Sequence, residues 1–254
     1  MPEFDIASPS NERIKRLVRL RDRGQRDQEG VFLVEGARLV ERALAAGLEP
    51  DEVYLDGAVA YSGPGEVVTV DPYALSRASY RKRSQGIIIV LSHLSTDLAS
   101  ITVGAAGLVL MTEAIEKPGN LGAMLRTADA VGADGLVAVG EGVDPFNPNV
   151  VRASLGALFT VPIAVASLQS VSDWIAANGL RVVAASPDAS SPYWDVDLTG
   201  SVAILIGSEA VGLTEEARKL ADTTVSIPMR GAGDSLNASV SLALLAYEAL
   251  RQRR

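Results

Sequence analysis

Beyond residue 107 the chain repeats one pattern: a short apolar run, then a stretch with helical spacing. The runs are Leu108-Val109-Leu110-Met111, Gly135-Leu136-Val137-Ala138-Val139, Arg181-Val182-Val183-Ala184-Ala185, Ala203-Ile204-Leu205-Ile206 and Thr224-Val225-Ser226-Ile227. Most of them show little of the apolar–polar alternation of a strand with one wet face, so they read as strands buried on both sides. Residues 120–131 and 170–178 read as helices between them. A last helix over 238–251 carries Leu242, Leu245, Ala246 and Ala249 as an apolar stripe. Strands of this kind alternating with helices predict an α/β fold, a parallel sheet covered by helices on both faces.

The first part reads as a separate, smaller α/β domain. Ile14, Leu17, Val18 and Leu20 recur at helical spacing behind the capping candidates Ser8, Ser10 and Asn11. Val31-Phe32-Leu33-Val34 is a strand, and a helix through Leu39, Val40 and Leu44 stops at Gly47. Glu52-Val53-Tyr54-Leu55, Val67-Val68-Thr69-Val70 and Gly86-Ile87-Ile88-Ile89-Val90 complete the unit. The following stretch is rich in Ser, Thr and Asp. The expected division is a domain over 1–95, a linker over 96–106 and a second domain over 107–254.

Composition removes several chemistries. The 254 residues contain no cysteine and one histidine, His93. Thiolate metal sites, thiol nucleophiles and zinc sites built from several histidines are excluded, and no metal is expected. No apolar run reaches the roughly 20 residues that span a bilayer. The opening Met1-Pro2-Glu3-Phe4-Asp5 lacks a basic and apolar leader. The expectation is a cytoplasmic protein without a membrane partner. Net charge is −8, yet seven basic residues stand against four acidic ones between Ser10 and Gly30, and Arg77, Arg81, Lys82 and Arg83 form a second basic cluster. One such cluster is ordinarily a solvated helix face. Two within a hundred residues of an acidic chain point to a phosphate-backbone partner.

Three stretches place Gly, Pro, Asn and a few charges beside apolar strand ends. They are Asn120-Leu121-Gly122-Ala123-Met124-Leu125-Arg126-Thr127; Leu205-Ile206-Gly207-Ser208-Glu209-Ala210-Val211-Gly212-Leu213; and Ile227-Pro228-Met229 with Ser235-Leu236-Asn237-Ala238-Ser239. That is the make-up of a small-molecule pocket. Gly231-Ala232-Gly233-Asp234-Ser235-Leu236 begins like a dinucleotide fingerprint but ends in Leu and has no βαβ unit after it. Gly207-Ser208-Glu209 is not a nucleophile elbow.

The trio resembles, in order, the three motifs of the SpoU family of S-adenosylmethionine-dependent RNA ribose methyltransferases, in the SPOUT superfamily. Asp144-Pro145-Phe146-Asn147-Pro148 and the stretch from Val151 through Arg152 to Ala157 are similar to members too, so the likeness runs from Leu108 to the C-terminus. Ser10-Asn11-Glu12-Arg13-Ile14-Lys15 and Phe32-Leu33-Val34-Glu35-Gly36 resemble the small substrate-binding domain of ribosomal-RNA members, a fold like ribosomal protein L30e. Ala210 departs from the family's usual Gly. The resemblance implies a C-terminal trefoil knot, S-adenosylmethionine as cofactor, ribosomal RNA (large-subunit RNA in particular) as substrate, and a homodimer whose active site draws on both subunits.

It also implies roles. Arg126, Asn120, Glu209 and Asn237 form the catalytic set. Gly207, Ile227, Met229, Ser235 and Leu236 hold the cofactor. Arg13, Lys15, Arg16, Arg81, Lys82, Arg83 and Arg152 meet RNA phosphates. A sulfonium methyl is already activated, so transfer to a ribose 2′-oxygen needs orientation and a proton acceptor rather than a metal or a covalent intermediate. An arginine ordinarily stays protonated. Arg126 therefore reads as stabilising the developing alkoxide and holding a phosphate, with general-base action left open. Glu209 is placed to accept a proton or to order Asn120 and Asn237; capping the next helix is its plainer use, as it is for Asn237. Transfer RNA as substrate, an RNA-binding protein without catalysis, and a nicotinamide-dependent oxidoreductase are the competing readings, in that order.

Overall fold

The computed structural model describes residues 4–81, 83–140, 143–208 and 211–254. In chain order the elements are α1 (Glu12–Arg19), α2 (Arg23–Glu29), β1 (Val31–Glu35), α3 (Ala37–Ala45), β2 (Glu52–Leu55), β3 (Glu66–Thr69), α4 (Pro72–Ala78) and β4 (Ile87–Ser92). There follow β5 (Leu108–Glu113), α5 (Pro118–Val131), β6 (Gly135–Val139), α6 (Pro148–Ser154), β7 (Ile163–Ala166) and α7 (Leu168–Ala177). The last are β8 (Arg181–Ala185), β9 (Val202–Ile206), α8 (Glu215–Arg218), β10 (Thr223–Val225) and α9 (Ala238–Gln252).

The chain folds as two compact units, one of Met1–Leu94 with Phe146–Phe159, the other of Ser95–Pro145 with Thr160–Arg254. In the first, a mixed sheet has the order β1-β4-β2-β3. β4 runs antiparallel to β1 and to β2, and β2 runs parallel to β3. Its core joins Ile14, Leu17 and Leu20 to Leu33, Tyr54, Leu75 and Ile88. The basic segment over 12–29 is two helices rather than one, because Leu20 caps α1 and the Asp22 carboxylate accepts from the Gln25 amide to begin α2. α6 packs on β1 in this unit, and His93 stacks on Phe146 with ring centroids 4.2 Å apart.

The second unit is the expected parallel sheet, in the order β10-β8-β9-β5-β6-β7. Its central strands are buried along their whole length, as their mostly apolar sequences favour. Each fully buried Leu or Ile, Leu205 and Ile204 among them, contributes roughly 1.5–3 kcal/mol through removal from water. α5 begins at Pro118, whose ring presets the first helical turn, and ends at Gly132 in the left-handed conformation. Further short elements escaped the sequence pattern. α4 and α6 have seven residues each, and β7 is a four-residue edge strand behind Pro162. β10 also stops earlier than its apolar pattern, because the Ser226 amide donates to the Ser191 carbonyl at 2.9 Å.

Candidate active site

The three motif stretches follow β5, β9 and β10, whose neighbours in the sheet all run parallel, so they leave the sheet at one edge. Carboxyl ends of parallel strands are where α/β sheets bind ligands, since the connecting loops diverge there and leave a crevice. β5 ends in Glu113, and the chain turns at Ala114, a non-glycine residue with φ +52°. A left-handed alanine costs of order 1 kcal/mol and persists only where its surroundings hold it.

The Ala114 amide donates to the Val139 carbonyl at 3.4 Å, and the residue before it, Glu113, is anchored as well. Its buried carboxylate accepts from the Thr214 amide at 2.8 Å and the Thr214 hydroxyl at 2.7 Å. Thr214 Oγ1 in turn accepts from the Ala217 amide at 3.1 Å and begins α8. One carboxylate thus ties the end of β5 to the far end of the loop after β9. At the near end Gly207 is buried, and Ser208 and Gly212 exchange backbone hydrogen bonds of 3.1 and 3.0 Å. A Cβ at Gly207 would lie 2.2 Å from the Gly212 carbonyl carbon and 2.3 Å from the Leu213 nitrogen. Only glycine lets this loop close upon itself. Glu209 and Ala210 lie outside the described residues.

Asn237 begins α9, its Oδ1 accepting from the Ser239 amide at 3.0 Å and the Ser239 hydroxyl at 2.6 Å. Its Nδ2 donates to Asn120 Oδ1 at 3.2 Å, joining the first turns of α9 and α5. One side chain therefore both caps α9 and bonds to Asn120. Arg126 lies six residues beyond Asn120 on α5, about 9 Å along the axis. It is exposed, and no hydrogen bond or ion pair engages its guanidinium among the described residues. The structure joins Asn120 to Asn237 and leaves Arg126 facing solvent.

Of the expected cofactor residues, Ile227 and Leu236 are half-buried, whereas Met229 and Ser235 are exposed. Among the described residues no hydrogen bond within the chain engages the backbone of residues 227–236. Two buried hydroxyls, on Thr112 near the end of β5 and on Ser186 just past β8, also lack a partner among the described residues. Free backbone groups, spare hydroxyls and half-buried apolar walls at one sheet edge fit a polar cofactor with an adenine and a ribose. Glu113, Thr214, Thr112 and Ser186 were not singled out in the sequence. Only the carboxylate at the end of an apolar strand, Glu113, carried a visible signal.

The basic residues divide. Arg13 pairs with Glu66 at 2.8 Å, Lys15 with Glu12 at 2.7 Å, and Arg16 with Glu29 and Glu52 at 2.6 and 2.7 Å. Arg81, Arg83 and Arg152 have no carboxylate partner among the described residues, and Lys82 lies outside them. Among the described residues no group of three or more His, Cys, Asp or Glu is arranged to hold a metal, and no helix is long and apolar enough to cross a membrane.

Comparison with known proteins gives the following. Residues 107–247 match the SpoU rRNA Methylase family, and residues 11–89 match the MRM3-like substrate binding domain. The chain is 33% identical over 250 residues to the 23S rRNA (uridine(2479)-2′-O)-methyltransferase of Streptomyces viridochromogenes, covering 92% of this chain and 87% of that one. A solved RNA 2′-O ribose methyltransferase is 41% identical with a TM-score of 0.86, covering 97% of this chain and 98% of the other. The SpoU methyltransferase AviRb from Streptomyces viridochromogenes, in complex with AdoMet, is 31% identical with a TM-score of 0.89, covering 95% and 98%. A structure concerned with 2-OH methylation of C/U34 on tRNA is also 31% identical, but covers 59% of this chain and 97% of its own, with a TM-score of 0.54.

Proposed function

This chain belongs to the SpoU rRNA Methylase family and is an S-adenosylmethionine-dependent ribosomal-RNA 2′-O-methyltransferase, and we propose that its target nucleotide lies in large-subunit RNA. The observation that carries this reading is the convergence of three motif stretches at one edge of the parallel sheet, with Asn237 bonded to Asn120 across it. Transfer RNA is the weaker reading. The tRNA-related structure aligns with 59% of the chain, whereas the 23S rRNA enzyme accounts for 92%.

When bound, S-adenosylmethionine supplies a methyl group already activated on a sulfonium. The chain supplies the rest. The free backbone groups of residues 227–236, with Ile227, Met229, Ser235 and Leu236, would hold the adenine and ribose. Gly207 gives the close backbone approach. The Arg126 guanidinium would hold the phosphate beside the target sugar and stabilise negative charge on its 2′-oxygen, while the sulfonium–methyl bond that breaks would leave a neutral thioether. Glu209 takes the 2′-hydroxyl proton, and Asn120 with Asn237 fixes the two helix starts around the reacting atoms.

Arg126 stands apart from Asn120 and Asn237 on a solvent face, and α9 exposes Val240 and Tyr247. Both features support a homodimer in which Arg126 completes the partner's site. A C-terminal trefoil knot belongs to the same reading, with α9 packed on α5 and β9. RNA binding falls to the first unit and catalysis to the second, in a cytoplasmic enzyme; the expected boundaries of 1–95, 96–106 and 107–254 shift, since residues 146–159 belong to the first unit and the expected linker packs into the second through Ile101.

The test is transfer of labelled methyl from S-adenosylmethionine to a large-subunit RNA transcript and to isolated subunits. Arg126→Ala should lower kcat about 100-fold or more while leaving cofactor affinity intact. Its mixture with Asn237→Ala should regain activity if sites are shared between subunits. Wild-type protein that labels transfer RNA alone moves the assignment to that substrate, and one that labels neither RNA sinks it.

A further inference from the structure

α9 runs through the depth of the second unit. It starts behind Asn237, which is bonded to Asn120 and directly follows the stretch 227–236, and it packs on α5 and β9. At 1.5 Å per residue its 15 residues extend about 22 Å, toward the edge where β5 and β9 begin. Arg253 ends the helix there. Its Nε donates to the Leu198 carbonyl at 3.0 Å and its Nη1 to the Ala106 carbonyl at 2.6 Å. Its Nη2 donates to the carbonyls of Gly200 at 2.7 Å and Gly107 at 3.2 Å. Ala106 and Gly107 lead into β5, and Leu198 and Gly200 lead into β9. Gln252 binds the same segment, its Nε2 donating to the Val196 carbonyl at 3.0 Å and its Oε1 accepting from the Leu198 amide at 2.7 Å.

The contact suits a guanidinium and little else. Its N–H donors lie in a planar fork that meets several carbonyls at once, whereas an ammonium is a point charge with fewer donors. Among the described residues no carboxylate lies within ion-pair distance of Arg253, so neutral main-chain oxygens hold it. Its neighbour Arg251 differs, pairing at 2.6 Å with Glu248 one turn back on the same helix. A helix is stiff along its axis, because each turn is bonded to the next. Fixing the last turn of α9 against the starts of β5 and β9 therefore sets the height of its first turn against their ends. At those ends stand Glu113 and Gly207.

We propose that Arg253 is a positioning residue for methyl transfer. By holding α9 in register with β5 and β9, it sets where Asn237 stands beside Asn120 and where the stretch 227–236 is anchored, about 22 Å away. The proposal rests on the reading of those residues given above, and adds one that touches neither substrate nor cofactor. Without the guanidinium α9 is free to slide against the two strands. The bond from Asn237 Nδ2 to Asn120 Oδ1, 3.2 Å long, lengthens with it.

A double-mutant cycle on the full-length protein tests it, with labelled-methyl transfer and amide hydrogen exchange read on folded samples. Arg253→Ala should lower kcat about tenfold, a usual size for coupling between distant sites, at unchanged KM for the RNA. Exchange should quicken in the first turn of α9, where the Val240 and Ser241 amides donate to the Asn237 carbonyl. Residues this far apart ordinarily act independently. The loss on combining Arg253→Ala with Asn237→Ala should instead fall short of the product of the two single losses. Arg253→Lys should recover part of the rate, and Arg251→Ala should match wild type. An unchanged rate in folded Arg253→Ala, losses that multiply, or exchange that quickens only near residues 198–200 overturns the proposal. If Arg253→Ala does not fold, Arg253→Lys replaces it in the cycle and is judged in the same way. Exchange needs neither cofactor nor turnover. A wild-type protein that transfers no methyl therefore sinks the functional reading, while exchange still judges the tie between Arg253 and Asn237.

Discussion

The two units differ in what they present at their candidate sites. At the edge of the parallel sheet it is backbone: a buried glycine, a hairpin closed by Ser208 and Gly212, and a ten-residue stretch whose peptide groups are free among the described residues. In the mixed-sheet unit it is side chains, Arg81 and Arg152, which have no carboxylate partner among the described residues. Backbone sites tolerate almost no added atoms, because a main-chain clash cannot be relieved by a rotamer. Side-chain sites lose one contact at a time. On the proposed function, the contrast would separate a site that holds one cofactor in one pose from a surface that meets a long polyanion at many points.

Substitutions test this contrast. Gly207→Ala should be the most damaging, since its Cβ would fall 2.2 Å from the Gly212 carbonyl carbon. We expect a loss of about 3 kcal/mol in denaturant unfolding, the upper range of overpacking, and no measurable cofactor binding by calorimetry. Full binding in this variant would remove the backbone account. Glu113→Ala strips the Thr214 amide and hydroxyl of their acceptor. It should cost about 2 kcal/mol and raise the cofactor Kd although the carboxylate need not touch the cofactor. Unchanged affinity would mean that the loop after β9 keeps its shape unaided.

Asn237→Ala removes the α9 cap and the bond to Asn120 together. Stability should fall by about 1 kcal/mol, the usual cost of a lost cap, and methyl transfer by more than that loss explains. Equal losses would reduce Asn237 to a cap. Smallest of all should be Arg13→Ala, whose exposed pair with Glu66 is worth at most about 1 kcal/mol. Its KM for RNA should stay within about twofold of wild type, beside a larger change for Arg152→Ala. Equal effects at Arg13 and Arg152 would erase the distinction between paired and unpaired cations.

Much of the fold was legible because burial on both faces leaves a direct imprint on composition. The strands through Leu110, Val137, Val183 and Ile204 were readable from their apolar runs alone. α4, α6 and β7 were not, since seven helical residues or four edge-strand residues give too short a period to stand out. The motif residues were visible as a group, yet their division of labour was not. Nothing in the order of residues says that Asn237 bonds to Asn120 from 117 positions away, that Arg126 stands clear of both, or that Thr214 is held by Glu113. Nor did charge counting separate Arg13, Lys15 and Arg16 from Arg81 and Arg152, because pairing depends on which acids the fold brings near.

By itself the sequence determined the parallel sheet, the smaller domain before it and the family, since apolar periodicity and ordered motifs are local properties of the chain. The tertiary structure alone decided which cations are paired with a carboxylate and which carboxylate serves the loop after β9. The physical reason is range. Burial pattern is set residue by residue, whereas hydrogen bonds and ion pairs act over a few ångströms between groups whose meeting only the folded chain arranges.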